Sequence, residues 1–165
     1  MLHLDLKPSN VIAEAGRAKI IDLSLARAPG RMKPGIGTWC YMAPEQARGG
    51  EVGCAADVWG IAGVLYEGAT GVPPFGEEGD EDVELPSLAR VAQPVDRERR
   101  LPAGLAAAID AGLGADPAEC PSVAQLGAAC EQVARLPPAE RRFAAWLRRV
   151  GDDRQRVAAG DRVAL

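Results

Sequence analysis

The stretch His3-Leu4-Asp5-Leu6-Lys7-Pro8-Ser9-Asn10 decides how the rest of the chain is read. It sets Lys7 two residues and Asn10 five residues after Asp5, so an acid, a base and an amide share one short loop. Short apolar runs at 11–12 and 19–21 flank Ala15-Gly16 and predict a small hairpin. That hairpin leads into Ile20-Ile21-Asp22-Leu23-Ser24. Further on stand Gly37-Thr38-Trp39-Cys40-Tyr41-Met42-Ala43-Pro44-Glu45-Gln46, then Asp57-Val58-Trp59, then Asp116-Pro117-Ala118-Glu119-Cys120-Pro121-Ser122. Ala55 to Thr70 is apolar nearly all round and ends at Gly71, ahead of Pro73-Pro74, which predicts a buried helix. Gly60, Gly63 and Gly68 each cost that helix about 1 kcal/mol against Ala, and close packing by neighbours is the natural compensation. Two more helices are expected at about 102–113 and 122–134.

The first stretch resembles the catalytic loop of protein kinases, H-R-D-L-K-P-x-N, with Leu4 where the family usually has Arg. The resemblance implies that Asp5 accepts or orients the proton of an attacking hydroxyl, and that Asn10 holds magnesium on the phosphates. Lys7 matches the lysine that meets the transferring phosphate in serine/threonine-specific members. Asp22-Leu23-Ser24 is similar to the metal-binding D-F-G, so Asp22 would bridge magnesium to the β- and γ-phosphates. By the same resemblance Ile12 lies under the adenine of ATP, and Thr38 hydrogen-bonds the catalytic Asp and Lys. The 37–46 segment matches G-T-x-x-Y-M-A-P-E-Q, which cradles a protein substrate, and Asp57 matches the residue that braces the catalytic-loop backbone. Five motifs in order identify the chain as a member of the bacterial eukaryotic-like serine/threonine protein kinases. The resemblance covers residues 1 to about 134.

The implied fold is mainly α with a small β-hairpin: a kinase C-lobe from the catalytic loop onward over 1–134, incomplete, followed by a basic helical or flexible tail at 135–165. The 165 residues carry no Gly-rich phosphate-covering loop and no V-A-I-K lysine, so the N-lobe half of the nucleotide cleft is missing. Alone, the chain is therefore expected to be inactive and to bind Mg-ATP weakly or not at all. The helix at 55–70 would then expose an apolar side, which promotes aggregation or calls for a partner covering the missing N-lobe face. Three functions follow. The first is a truncated serine/threonine kinase acting on protein hydroxyls with ATP and Mg2+. The second is a non-catalytic, pseudokinase-like remnant acting by protein binding, a direction favoured by Asp22-Leu23-Ser24 and by Cys120, which replaces the Arg that usually pairs with Glu45. The third is a small-molecule phosphotransferase, against which the 37–46 segment argues. The sequence upstream of Met1 separates the first two.

One feature of regulation is also legible. No Ser, Thr or Tyr lies between Leu25 and Gly37, and the Arg before the catalytic Asp is Leu4. Phosphate acceptor and partner cation are both gone, so activation-loop phosphorylation is not expected to switch the protein on.

Composition agrees with a folded, cytoplasmic domain. The chain is 47% hydrophobic and 25% charged, which excludes wholesale disorder, and no apolar run reaches the ~20 residues of a membrane span. A formal charge of −4 argues against a nucleic-acid partner. Cys40, Cys54, Cys120 and Cys130 form no C-x-x-C pair and His3 is the sole histidine, so a zinc site is not expected and the thiols are read as unbridged. Residues 77–84 hold six acids and read as a solvated loop. Phe143, Trp146, Leu147 and Val150 fall at helical spacing among four arginines, an amphipathic helix expected to pack on the domain.

Overall fold

The computed structural model describes residues 1–14, 17–76 and 85–135. The hairpin turn at Ala15-Gly16, the acidic loop at 77–84 and the amphipathic segment at 139–150 lie outside the described residues. The hairpin strands are β1 (Val11–Glu14) and β2 (Arg17–Ile20), antiparallel with Val11 opposite Ile20 and Glu14 opposite Arg17. A second antiparallel pair follows, β3 (Gly30–Met32) and β4 (Gly50–Val52), with Arg31 opposite Glu51. The sequence reading had no second pair. Three-residue strands rich in Gly carry no alternation from which to be recognised.

The long helix, α2 (Cys54–Thr70), matches the predicted span and stops at Gly71, whose left-handed φ of 86° and N–H to Glu67 O at 2.8 Å close the last turn. It is the centre of the fold. Helix α5 (Ala103–Gly112) lies against it and α6 (Val123–Ala134) against α5. The start of α6 is fixed by a capping box, in which Ser122 Oγ accepts from Gln125 N and the Gln125 side chain returns to Ser122 N. Short helices α1 (Pro44–Arg48), α3 (Pro86–Ala89) and α4 (Val95–Glu98) fill the gaps.

The core gathers Leu2, Leu4, Trp59, Tyr66, Phe75, Val95 and Ile109, with Trp59 stacked on Phe75 at 5.2 Å between ring centroids. The expectation of close packing at glycine holds at Gly60, where a Cβ would come within 2.8 Å of Leu6 Cβ. A second close approach, not foreseen, is at Gly112 of α5, where a Cβ would meet that of Ala62 at 2.6 Å. These contacts let the loop at 3–10 and helix α5 approach the α2 backbone itself. Ile61, Val64 and Leu65 of α2 are half-buried. The greater apolar exposure is beside the hairpin, at Ile20 (52%), Ile21 (39%) and Leu23 (60%). No described helix is long and apolar enough to cross a membrane.

Candidate active site

Local backbone strain organises the loop at 3–10. Leu4 takes a left-handed φ of 68°, which costs a residue with a Cβ about 1–2 kcal/mol. Three contacts hold it there. Asp57, in the first turn of α2, accepts from His3 N and Leu4 N at 2.8 Å each, one carboxylate oxygen per N–H. Buried Gln46 of α1 donates Nε2 to Leu4 O at 2.9 Å and to Ile36 O at 2.8 Å, while its Oε1 accepts from Ala43 N at 3.1 Å. The Leu4 side chain is itself 3% exposed, in the core, where an arginine would leave an unpaired charge. Gly37 completes the arrangement, because a Cβ there would sit 3.0 Å from Leu4 O at a φ of 134°.

With the backbone fixed, the polar side chains converge. Thr38 donates its hydroxyl to Asp5 Oδ1, and Lys7 Nζ donates to Thr38 Oγ1 at 2.7 Å and lies 3.2 Å from Asp5 Oδ2. Asn10 Nδ2 donates to Asp5 Oδ2 at 3.0 Å and Asp5 O at 2.9 Å. Asp5, Lys7, Thr38 and Asn10, predicted from two separate stretches, thus form one connected cluster. His3 is structural and buried: Nδ1 accepts from Asp5 N at 3.3 Å and Nε2 donates to Ile21 O at 3.1 Å, joining the loop to the segment that carries Asp22.

Asn10 and Asp22 come together at one end of the hairpin, where Ile21 N donates to Asn10 O at 3.0 Å. Asp22 is exposed and takes a left-handed φ of 62°. Hydrogen bonds from the Ser24 side chain and amide hold its carboxyl below the usual carboxylate range, with Lys7 and His3 adding smaller effects. Asn10, its amide nitrogen committed to Asp5, offers Oδ1. A carboxylate and an amide oxygen are the hard donors magnesium takes alongside phosphate oxygens, so the pair fits that ion. Among the described residues no group of three or more His, Cys, Asp or Glu is placed to hold a metal ion. Ile12 lies half-buried on β1, opposite Lys19.

Sequence reasoning gave Gln46 no role, although it ties the loop to the segment before Thr38. Its signal was only its place in the quoted 37–46 stretch. Tyr41 donates its hydroxyl to buried Glu67, which anchors that stretch on α2. Glu45 Oε1 is buried without a hydrogen-bond partner, and burial pushes the Glu45 carboxyl above its ordinary 4.5. The Cys120 thiol is raised as well, chiefly by burial and then by the Glu45 charge, so cysteine stands near the acid without neutralising it. None of the four cysteines is in a disulfide.

The Glu45 shift has a defined sign. A raised folded value means that the native state binds the proton more tightly. The stabilisation is complete below the ordinary 4.5 and is lost as pH rises through the raised value. Glu45→Gln is therefore expected to gain thermal stability relative to the unaltered chain between about pH 4 and about pH 8. A difference in melting temperature that stays constant over that range would contradict it.

Comparison with known proteins shows the family. The family described as "Protein kinase domain" matches residues 1–127, and the chain belongs to it. The chain is 38% identical over 125 residues to the serine/threonine-protein kinase PknD of Mycobacterium tuberculosis, covering 71% of the chain and 19% of that protein. It is 40% identical over 93 residues to PknB, a serine/threonine-protein kinase of the same organism, covering 52% of the chain and 14% of that protein. It is also 41% identical over 86 residues to the tyrosine-protein kinase MasK of Myxococcus xanthus, covering 48% of the chain and 13% of that protein. The chain thus spans less than one fifth of the length of each of these relatives.

Proposed function

We propose that this member of the protein kinase family carries the phosphoryl-transfer half of a serine/threonine kinase site, acting on protein hydroxyls with Mg-ATP. The observation that carries the reading is the connected cluster of Asp5, Lys7, Thr38 and Asn10. Asp5 receives the proton of the attacking Ser or Thr hydroxyl. Lys7 lies between that carboxylate and the incoming phosphoryl group, where a fixed cation offsets charge spreading over its oxygens. Thr38 fixes the rotamers of both. Asn10 and Asp22 would hold magnesium, which supplies charge neutralisation at the β- and γ-phosphates when bound. Ile12 is assigned to the floor under the adenine. The intact cluster favours catalysis over the non-catalytic alternative.

In this reading residues 1–134 are a kinase C-lobe, and the remaining nucleotide contacts come from a lobe outside these 165 residues. The apolar strip of Ile20, Ile21 and Leu23 beside Asp22 is where that lobe, or a partner in its place, would close. The activity belongs in the cytoplasm, where ATP is. Activation-loop phosphate is not required, because β3 is tied to β4 and Arg27 exchanges backbone hydrogen bonds with Leu2 at 2.7 and 3.0 Å. Backbone ladders then order the 25–37 segment without a charge switch.

The test compares two proteins. The 165-residue chain alone is expected to show no micromolar Mg-ATP affinity by calorimetry and no transfer to a generic protein substrate. A chimaera carrying a relative's N-terminal lobe ahead of Met1 is expected to transfer phosphate. An inactive chimaera that folds and binds Mg-ATP would overturn the catalytic reading.

A further inference from the structure

Charge is placed unevenly along the chain. Between Leu23 and Gly50 stand Arg27, Arg31, Lys33 and Arg48 against the single acid Glu45, in a chain whose formal charge is −4. The structure gathers three of these cations at one edge. Arg31 and Lys33 stand either side of buried Met32 and are both exposed, at and just beyond the end of β3. Arg48, also exposed, ends α1. The residue after it, Gly49, packs on the residue after Lys33, since a Cβ at Gly49 would come within 2.7 Å of Pro34 N. Glu51, opposite Arg31 on β4, leaves the edge positive, and among the described residues none of the three cations is in an ion pair.

That edge leads into the site. Gly35 N donates to Gln46 O at 2.9 Å and Gln46 Nε2 donates to Ile36 O at 2.8 Å. These two bonds fix the run toward Thr38, whose hydroxyl meets Asp5. Lys33 is five positions before Thr38, at most about 17 Å of extended chain. A protein segment with its Ser or Thr at Asp5 crosses that span in about five residues. Cations held there by an ordered backbone complement carboxylates and repel basic flanks. We propose that Arg31, Lys33 and Arg48 make the site select Ser or Thr acceptors flanked, within about five residues, by Asp or Glu. The inference rests on the phosphoryl-transfer reading and names its substrate class. Exposed charge pairs are weak singly, a few-fold each, and three together contribute about tenfold.

The test uses short peptides with one central Ser and flanks rich in Glu, in Gln or in Arg. The chimaera with a relative's N-terminal lobe is expected to phosphorylate the Glu peptide with a KM about tenfold below that of the Gln peptide, at similar turnover. Arg31→Gln combined with Lys33→Glu is expected to remove that advantage and to favour the Arg peptide. Salt at about 1 M, where the screening length falls to about 3 Å, is expected to erase it in the unaltered protein. By fluorescence anisotropy, the 165-residue chain is expected to bind the Glu peptide about tenfold more tightly than the Arg peptide. An active chimaera indifferent to the flanks would overturn the inference and leave the phosphoryl-transfer reading standing. So would a Glu preference that survives the double variant. A chimaera that folds and binds Mg-ATP but phosphorylates none of the peptides would overturn the phosphoryl-transfer reading. Anisotropy then decides the inference, with equal affinities for the Glu and Arg peptides counting against it. If the double variant does not fold, Lys33→Gln and the salt dependence replace it.

Discussion

Asp5→Ala, in a chimaera completed with a relative's N-terminal lobe, is expected to lower turnover by about 10²–10⁴-fold while leaving the KM for Mg-ATP nearly unchanged. The split follows from the geometry. Asp5, which receives the hydroxyl proton in the proposed function, touches Thr38, Lys7 and Asn10 and is itself 9% exposed. Removing its carboxylate deletes the proton acceptor but leaves the magnesium donors Asn10 and Asp22 chemically intact. Ser9→Ala is the internal control, because Ser9 is exposed in the same turn and has no assigned role. A Ser9→Ala protein that loses as much as Asp5→Ala would show that loop conformation, and not the carboxylate, had been measured. Steady-state kinetics with a protein substrate distinguishes the two.

Asp57→Ala is expected to destabilise the chain by about 3 kcal/mol or more, since hydrogen bonds to a charged group contribute about 1.5–3 kcal/mol each and two are lost. The loss falls on a backbone already held in an unfavourable conformation at Leu4. Without Asp57 the loop loses both of these hydrogen bonds and keeps the one from Gln46 to Leu4 O, and His3 N and Leu4 N are left seeking water. Asp57→Asn keeps at most one acceptor for two N–H groups and is expected to recover only part of the stability. Chemical denaturation of the three proteins gives the ranking. Equal midpoints for the unaltered chain and Asp57→Ala would show that the catalytic-loop backbone is held by other means.

The parts legible in the sequence were those written in local pattern or ordered motif. The hairpin around 15–16, the helix stopping at Gly71 and the helix expected at about 122–134 each announce themselves within a few residues. The cluster of Asp5, Lys7, Asn10 and Thr38 was legible because two motifs, 31 residues apart at Lys7 and Thr38, assign partners to each other. What stayed hidden is long-range and side-chain specific. Nothing local marks Leu4 for a left-handed backbone, which sequence reading reserves for Gly, Asn or Asp. Gln46 reaches Leu4 across 42 residues, and no periodicity encodes that distance. Cys120 shows the reverse case. The missing Arg was visible in the motif, and the structure adds its consequence, a buried Glu45 oxygen without a partner.

The central claim is that Lys7, hydrogen-bonded to Thr38 and paired with Asp5, makes the site one for serine and threonine hydroxyls. The relatives sharpen the question, because two are named serine/threonine kinases and one a tyrosine kinase. The most direct measurement is phosphoamino-acid analysis of a mixed protein substrate after reaction with the chimaera and labelled ATP. The account predicts phosphoserine and phosphothreonine, both lost with Asp5→Ala. Label recovered on tyrosine, or transfer that survives Asp5→Ala, would contradict it.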